Sequence, residues 1–251
     1  MQTFDKLKRL SLDVTIGGAP IEDYPSSFYL VTDDGFPHVM ARLQFPKDTD
    51  VGEAGDPVTV NMVSGDDSCL LFTGEIYSVS DHGAYRDLTL TDGFKKLCDT
   101  DIAASYRKEM AEVILQDTLD DAGIEDTDIT CPEVEIARFS TEKIPADKII
   151  KLLIKTLEEH GHYGLRFFFD DEDVFRFGTP EDSGINEGEV FVFETGKNII
   201  RAERNRIETL PFPIRHSQEV IVDGKTFVTK RTELLLSNRR SRLVLWLGSA
   251  S

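Results

Sequence analysis

The sequence predicts a mainly β protein carrying one α+β insert. Short alternating apolar stretches recur at regular spacing from residue 9 to 91, and helical periodicity is confined to the segment after Asp92-Gly93. Two-residue periodicity then returns from residue 190 onward. Side chains alternate across a strand and repeat every 3.6 residues along a helix, so these three observations divide the chain.

The first β region is justified strand by strand. Leu10-Ser-Leu-Asp-Val-Thr-Ile16 alternates and stops at Gly17-Gly18, and Phe28-Tyr-Leu-Val-Thr32 ends at the turn signal Asp33-Asp34-Gly35. His38–Phe45 closes at Pro46. Gly55-Asp56-Pro57 opens Val58–Val63, and Ser64-Gly65-Asp66-Asp67 is a second turn. Cys69–Val79 is a long strand in which Gly74 predicts a bulge or sharp bend. Asp81-His82-Gly83 turns the chain into Arg86–Thr91. Six strands so spaced indicate a small antiparallel barrel or sandwich.

The insert reads differently. Ala111, Ile114, Leu115, Thr118, Leu119 and Ala122 share one helical face, and Gly123 is placed to end that helix. A second helix starts near Pro145, carries Ile149, Leu152, Leu153, Thr156 and Leu157, and stops at Gly161. The two ends match: Thr118-Leu-Asp-Asp-Ala-Gly123 against Thr156-Leu-Glu-Glu-His-Gly161. An internal repeat, a βα unit used twice and coincidence all remain open from six positions. Leu165–Phe169 and Val174–Phe177, joined by Asp170-Asp-Glu-Asp173, form a hairpin. Residues 179–189 read as a linker. Strands are then expected at Val190–Phe193, Asn198–Ile207, Glu219–Val222, Thr226–Leu236 and Ser241–Leu247, with Asp223-Gly224 as a tight turn.

Charge narrows the function classes. The formal net charge is −18, which repels phosphate and argues against a surface that binds duplex nucleic acid. It is unevenly spread: residues 1–196 hold 17 basic and 41 acidic residues, whereas residues 197–251 hold 11 and 5. That basic segment alternates with apolar residues and fits a surface docking on an acidic neighbour. No apolar run reaches the ~20 residues of a membrane-spanning helix, and no signal core is present, so no membrane role and a cytoplasmic origin are expected. Cys69, Cys98 and Cys131 are too few and scattered for a disulfide framework or a zinc site.

Chemistry-bearing patterns are weak. Asp170–Asp173 lacks the spacing of a calcium loop, and His160 and His162 flank a helix-stopping glycine without a third ligand nearby. There is no nucleophile elbow, phosphate loop or dinucleotide fingerprint. Cys98 could pair with a histidine only through tertiary structure. No catalytic, cofactor or metal residues are therefore expected, and folding is expected to need no cofactor. The remaining candidates are Trp246, the single tryptophan, in Leu243-Val-Leu-Trp-Leu247, and the preceding cluster Arg239, Arg240 and Arg242. A continuous apolar strand is usually buried on both faces, or covered at an interface.

Three stretches together resemble the baseplate hub proteins of phage tails and related contractile injection systems, the late control protein D group. The first is Gly55-Asp-Pro-Val-Thr-Val60 followed by Leu71-Phe-Thr-Gly-Glu-Ile76 and Leu88-Thr-Leu-Thr-Asp-Gly93. The second is the helix pair closed by Gly123 and Gly161 with the Phe-rich hairpin; the third is Gly196-Lys-Asn-Ile-Ile-Arg-Ala-Glu203. The resemblance implies two small antiparallel tail-tube-like β-barrels, residues 1–93 and 179–251, flanking an α/β module at 94–178. It implies a homo-oligomer, a trimer whose ring adapts the tail tube to a central spike and lines a channel. Implied partners are the central spike, tail tube, baseplate wedge and tape measure proteins, in a virion tail assembled in the host cytoplasm. The resemblance brings no catalytic residues. The basic cluster and Trp246 then become candidates for a subunit interface, because a ring joins one patch to a different patch on the next copy. The alternatives are another tail component, such as a distal tail or tube-initiator protein, and a tail-associated cell-wall hydrolase.

Overall fold

The computed structural model describes residues 10–179, 182, 190–237 and 240–249. They divide into two compact units, one built from the segments up to Asp92 and beyond residue 185, the other from the segment between. The architecture is mainly β with an α+β insert. No described helix is long and apolar enough to cross a membrane.

The first unit begins with β1 (Leu10–Ile16), β2 (Ala19–Pro20), β3 (Ser27–Asp33), β4 (Phe36–Pro46), β5 (Pro57–Ser64), β6 (Asp67–His82) and β7 (Tyr85–Thr91). All pair antiparallel, in the order β3-β4-β7-β6-β5-β1-β2. β6 is 16 residues long and changes partner along its length: residues 67–75 pair with β5 and residues 75–82 with β7. Register shifts fall at Leu71 and Tyr77, either side of Gly74. The bend expected at Gly74 is thus carried by two flanking bulges. Gly74 itself is required by close approach, since a Cβ there would lie 2.3 Å from the Thr91 carbonyl oxygen.

The insert runs α1 (Phe94–Asp99), β8 (Asp101–Ile102), β9 (Ser105–Met110), α2 (Ala111–Asp121), β10 (Thr127–Ile129), β11 (Glu135–Ser140), β12 (Ile144–Pro145), α3 (Ala146–Glu159), β13 (Arg166–Phe169) and β14 (Phe175–Gly178). α1 and the β9–β11 ribbon have no counterpart in the periodicity reading, because their buried residues are too few to set a pattern. α2 and α3 end alike. Gly123 N–H donates to the Asp120 carbonyl and Ile124 N–H to that of Leu119, while Gly161 donates to Glu158 and His162 to Leu157. Those are the paired bonds of a Schellman cap, with both glycines at positive φ. The matching hexapeptides are one capping chemistry written twice.

The chain re-enters the first unit through β15 (Phe191–Phe193), β16 (Ile199–Glu203), β17 (Arg206–Thr209), β18 (Glu219–Val222), β19 (Lys225–Ser237) and β20 (Arg242–Ser249). Most of the expected linker, 179–189, lies outside the described residues. The stretch 198–207, expected as one strand, is a hairpin turning at Arg204-Asn205. Neither residue is among the positive-φ positions, and no glycine marks the turn. Asp223 and Gly224 both take positive φ, as the expected tight turn demands.

The described strands of this segment join the first sheet through β19, and an isolated parallel bridge ties Thr195, just past β15, to Ile199 at the start of β16. β19 gives one edge to β20 and divides the other, pairing residues 225–228 with β18 and residues 231–237 with β3. One sheet therefore runs β16-β17-β20-β19-β3-β4-β7-β6-β5-β1-β2. The reason lies in the register, which sets Leu234 against Leu30 and Leu236 against Phe28, all buried. A one-residue slip of β19 would turn Leu234 and Leu236 outward, at about 1.5–3 kcal/mol each. At the junction, the Thr32 and Thr232 hydroxyls lie 2.9 Å apart and Thr32 accepts the His216 N–H. Each unit has its own apolar core, the first centred on residues such as Phe28, Leu43 and Leu88, the second on Leu115, Leu153 and Phe175.

Candidate assembly surface

On the sheet face opposite the core, cross-strand register places Arg206, Trp246, Arg231 and Asp33 in one row across β17, β20, β19 and β3. The Arg206 and Arg231 guanidinium carbons lie 5.3 and 5.4 Å from the Trp246 ring centre. Flanking strands place these cations on the two sides of a half-buried indole, where the ring's negative faces attract them. The next row is Glu208, Val244, Glu233, Val31 and Met40. Val244 and Val31 are buried there while Met40 is 54% exposed. The strand 243–247 is thus apolar on both faces, as expected, with Trp246 left half-covered.

Glu208 organises the arginines. Its side chain is 7% exposed; Arg240 donates to it at 2.6 Å, and an Arg242 nitrogen lies 3.7 Å away. Burial alone would raise this carboxyl, but the Arg240 hydrogen bond and the charges of Arg240, Arg242 and Arg206 outweigh it and hold it below 4.5. Arg231 bonds Glu233 at 2.7 Å and lies 3.5 Å from Asp33. Burial, then the neighbouring Glu233, pushes the Tyr29 phenol above its ordinary 10.0.

Of the residues expected from the sequence, Arg240 and Arg242 converge on Glu208, and Trp246 sits in the adjacent row. Arg239 lies outside the described residues. Arg206, Arg231, Glu208 and Glu233 were not singled out by sequence. Their signal was their strand position opposite Trp246 and Val244, legible only once the register is known.

The other candidates resolve into structural roles. Ser80, His82 and Asp87 meet on β6 and β7, but both the 3.4 Å contact to Ser80 and the 3.9 Å contact to Asp87 use Nε2 of His82. A nucleophile–base–acid relay needs both ring nitrogens. Burial pushes the Cys131 thiol up to about 11, and burial followed by Asp147 raises Cys98, the reverse of what activates a nucleophile. His160 Nδ1 donates to the Thr156 carbonyl at the end of α3. Asp170 accepts the Glu172 and Val174 N–H groups and the Arg176 Nε, closing the hairpin turn. Among the described residues no group of three or more His, Cys, Asp or Glu side chains is arranged to hold a metal.

Such a molecule, a long and mostly antiparallel sheet with an α+β insert and an arginine-flanked outer face, belongs to a structural class that can be placed among known folds. No protein-family model matches the chain, and no curated protein matches it in sequence. Solved structures do match. The 43 kDa tail protein of prophage MuSo2 from Shewanella oneidensis aligns with a TM-score of 0.72 at 10% identity, over 96% of this chain and 98% of that one. A tail protein from Neisseria meningitidis MC58 gives 0.71 at 11% identity, over 96% of each chain. An E. coli type VI secretion component, described as structurally similar to the T4 bacteriophage tail proteins gp27 and gp5, gives 0.70 at 11% over 95% of this chain and 77% of that one. The chain has the fold of phage tail proteins.

Proposed function

We propose that this protein is a structural, non-catalytic hub of a phage or phage-like tail baseplate. In this reading a ring of copies, three in number, adapts the tail tube to a central spike and lines the channel between them. Wedge and tape measure proteins are its further partners in the virion tail, after assembly in the host cytoplasm. Residues 1–93 and 179–251 supply two tube-like β modules, and 94–178 the insert between them.

The observation that carries this reading is the similarity to tail proteins in one order over 95–96% of the chain, insert included. The resemblance of Gly55–Gly93 and Gly196–Glu203 to the hub group supports it independently. Arg239, Arg240, Arg242 and Trp246 belong, in this reading, to the contact between subunits, with arginine and tryptophan the types that interface cores favour. Rim ion pairs contribute only about 0–1 kcal/mol each and are screened by salt. Apolar burial must hold the ring, and charge sets register and encounter rate.

Native mass spectrometry of the chain, alone and co-expressed with a candidate central spike protein, tests the proposal. A trimer that binds the spike is expected. A chain that stays monomeric, ignores the spike and is absent from purified tails overturns it.

A further inference from the structure

The β9–β11 ribbon of the insert carries charges that its own fold leaves unanswered. Tyr106, Ile136 and Phe139 pack into the second core, and regular alternation from Tyr106 and Phe139 would send Lys108 and Ala137 the same way. Both are exposed instead. Lys108 takes a φ of +51°, and the ladder skips the 108–137 pair between Arg107–Arg138 and Glu109–Ile136. The break leaves Arg107, Lys108 and Arg138 exposed together, with the small Ala137 among them. Arg107 and Arg138 are direct cross-strand partners, which sets their Cβ atoms about 5 Å apart on one face. Among the described residues none of the three side chains has an ion pair or a hydrogen bond.

Two features of this ribbon work against folding. Like charges directly opposite one another on a sheet repel, and a left-handed backbone strains any residue that bears a Cβ. Neither is offset by a contact within the chain, and strain of this kind collects where a ligand is met. The setting sharpens the contrast. Residues 93–184 hold 22 acidic residues against 11 basic ones, yet three of those cations gather on one short ribbon. The ribbon's own carboxylates are placed elsewhere: Glu109 accepts the Met110 N–H, and Glu135 stands opposite Met110.

We propose that the β9–β11 ribbon docks an acidic segment of another protein, whose carboxylates meet Arg107, Lys108 and Arg138. The guanidinium fork matches a carboxylate with two parallel hydrogen bonds, and the ammonium of Lys108 adds a compact third charge. Met110, 37% exposed at the end of β9, offers an apolar contact beside them. Charge complementarity selects this occupant. A nucleic acid is charged along its whole length and would be repelled by a module whose acids outnumber its bases two to one. A short acidic segment sets its charges on the cations alone. The proposal goes beyond the hub reading, whose subunit contacts use Arg239, Arg240, Arg242 and Trp246.

Fluorescence anisotropy of labelled hexaglutamate, titrated with the full chain at low ionic strength, provides the test. Saturable binding that weakens as salt is added is expected. The combined change Arg107→Gln, Lys108→Gln and Arg138→Gln should weaken it at least tenfold. A control chain with Lys143→Gln, Lys155→Gln and Lys225→Gln loses the same formal charge at scattered exposed positions and should bind as the unmodified chain does. Far-ultraviolet circular dichroism establishes that each variant folds. Lys108→Gly gives a readout that a purely structural ribbon would not: glycine accepts the left-handed backbone, so the urea midpoint should rise while peptide binding falls. An unmodified chain that does not bind hexaglutamate, a triple variant or a Lys108→Gly chain that binds undiminished, or a control weakened equally overturns the proposal. Tighter binding of an oligothymidylate of equal charge at the same three cations also overturns it, since the occupant would then be a nucleic acid.

Discussion

Glu208 is a carboxylate that the fold buries and then surrounds with cations. Its depressed pKa fixes the sign of its contribution: the stabilisation is present above the unfolded value of 4.5 and is lost as pH falls through the lower folded value. Glu208→Gln should therefore cost about 1–3 kcal/mol at neutral pH, and the gap to the unmodified protein should close on acidification below 4.5. Urea midpoints measured from pH 7 down to pH 3 check this; a gap constant over that range would mean that the arginines interact with solvent instead. The same geometry complicates charge reversal of Arg240 and Arg242. A glutamate at either position would face a buried glutamate in its own chain, so loss of assembly could reflect damage to the β17–β20 pairing.

At the scale of elements, two long strands do unusual work. β6 and β19 each change partner at an irregularity, one around Gly74 and the other at the shift between Thr229 and Arg231. Gly74→Ala should cost about 1–3 kcal/mol, because the new methyl would meet the Thr91 carbonyl oxygen at 2.3 Å and the Phe72 ring at 2.7 Å. Thermal denaturation measures it, and a neutral result would show that β7 can withdraw without loss. The helix caps respond more gently. A Cβ at Gly123 or Gly161 meets nothing within 4 Å, but φ values of +68° and +91° disfavour any side chain. Alanine at either position should cost about 1 kcal/mol, by backbone strain alone, in a urea titration. These elements were largely legible. Alternation located β1, β3, β5 and β7, and the glycines located both helix ends. What sequence could not supply was pairing: nothing local to Thr226–Leu236 says that its second half belongs beside Phe28–Thr32, some 200 positions away. The candidate surface was half legible for the same reason. Trp246 and the arginines stood out by composition, but their partners Arg206, Arg231 and Glu208 are neighbours only through register.

For the molecule as a whole, two separate apolar cores predict two separable unfolding events. Leu43 is fully buried in the first core and Leu153 in the second. Leu43→Ala and Leu153→Ala should each cost about 2–5 kcal/mol, and calorimetry should show each lowering only the transition of its own unit. A single transition displaced equally by both would mean that the units unfold as one. The divided charge belongs to this scale too, since residues 1–92 and 197–251 share one sheet yet differ in sign. Added salt should slow association of the unmodified chain more than it speeds dissociation.

The division of β19 between β18 and β3 also governs what a ribosome can release. While the chain is being made, β3 can pair with β4 as soon as both have emerged, but its other edge waits for residues 231–237, some 200 positions later. The insert, whose contacts lie within residues 93–184, can fold while that edge is still bare. Until residues 231–237 emerge, Phe28 and Leu30 border an unfinished sheet. Premature termination just before Lys225 would leave the nascent protein with a folded insert and an adhesive first sheet, making such fragments candidates for aggregation or rapid degradation.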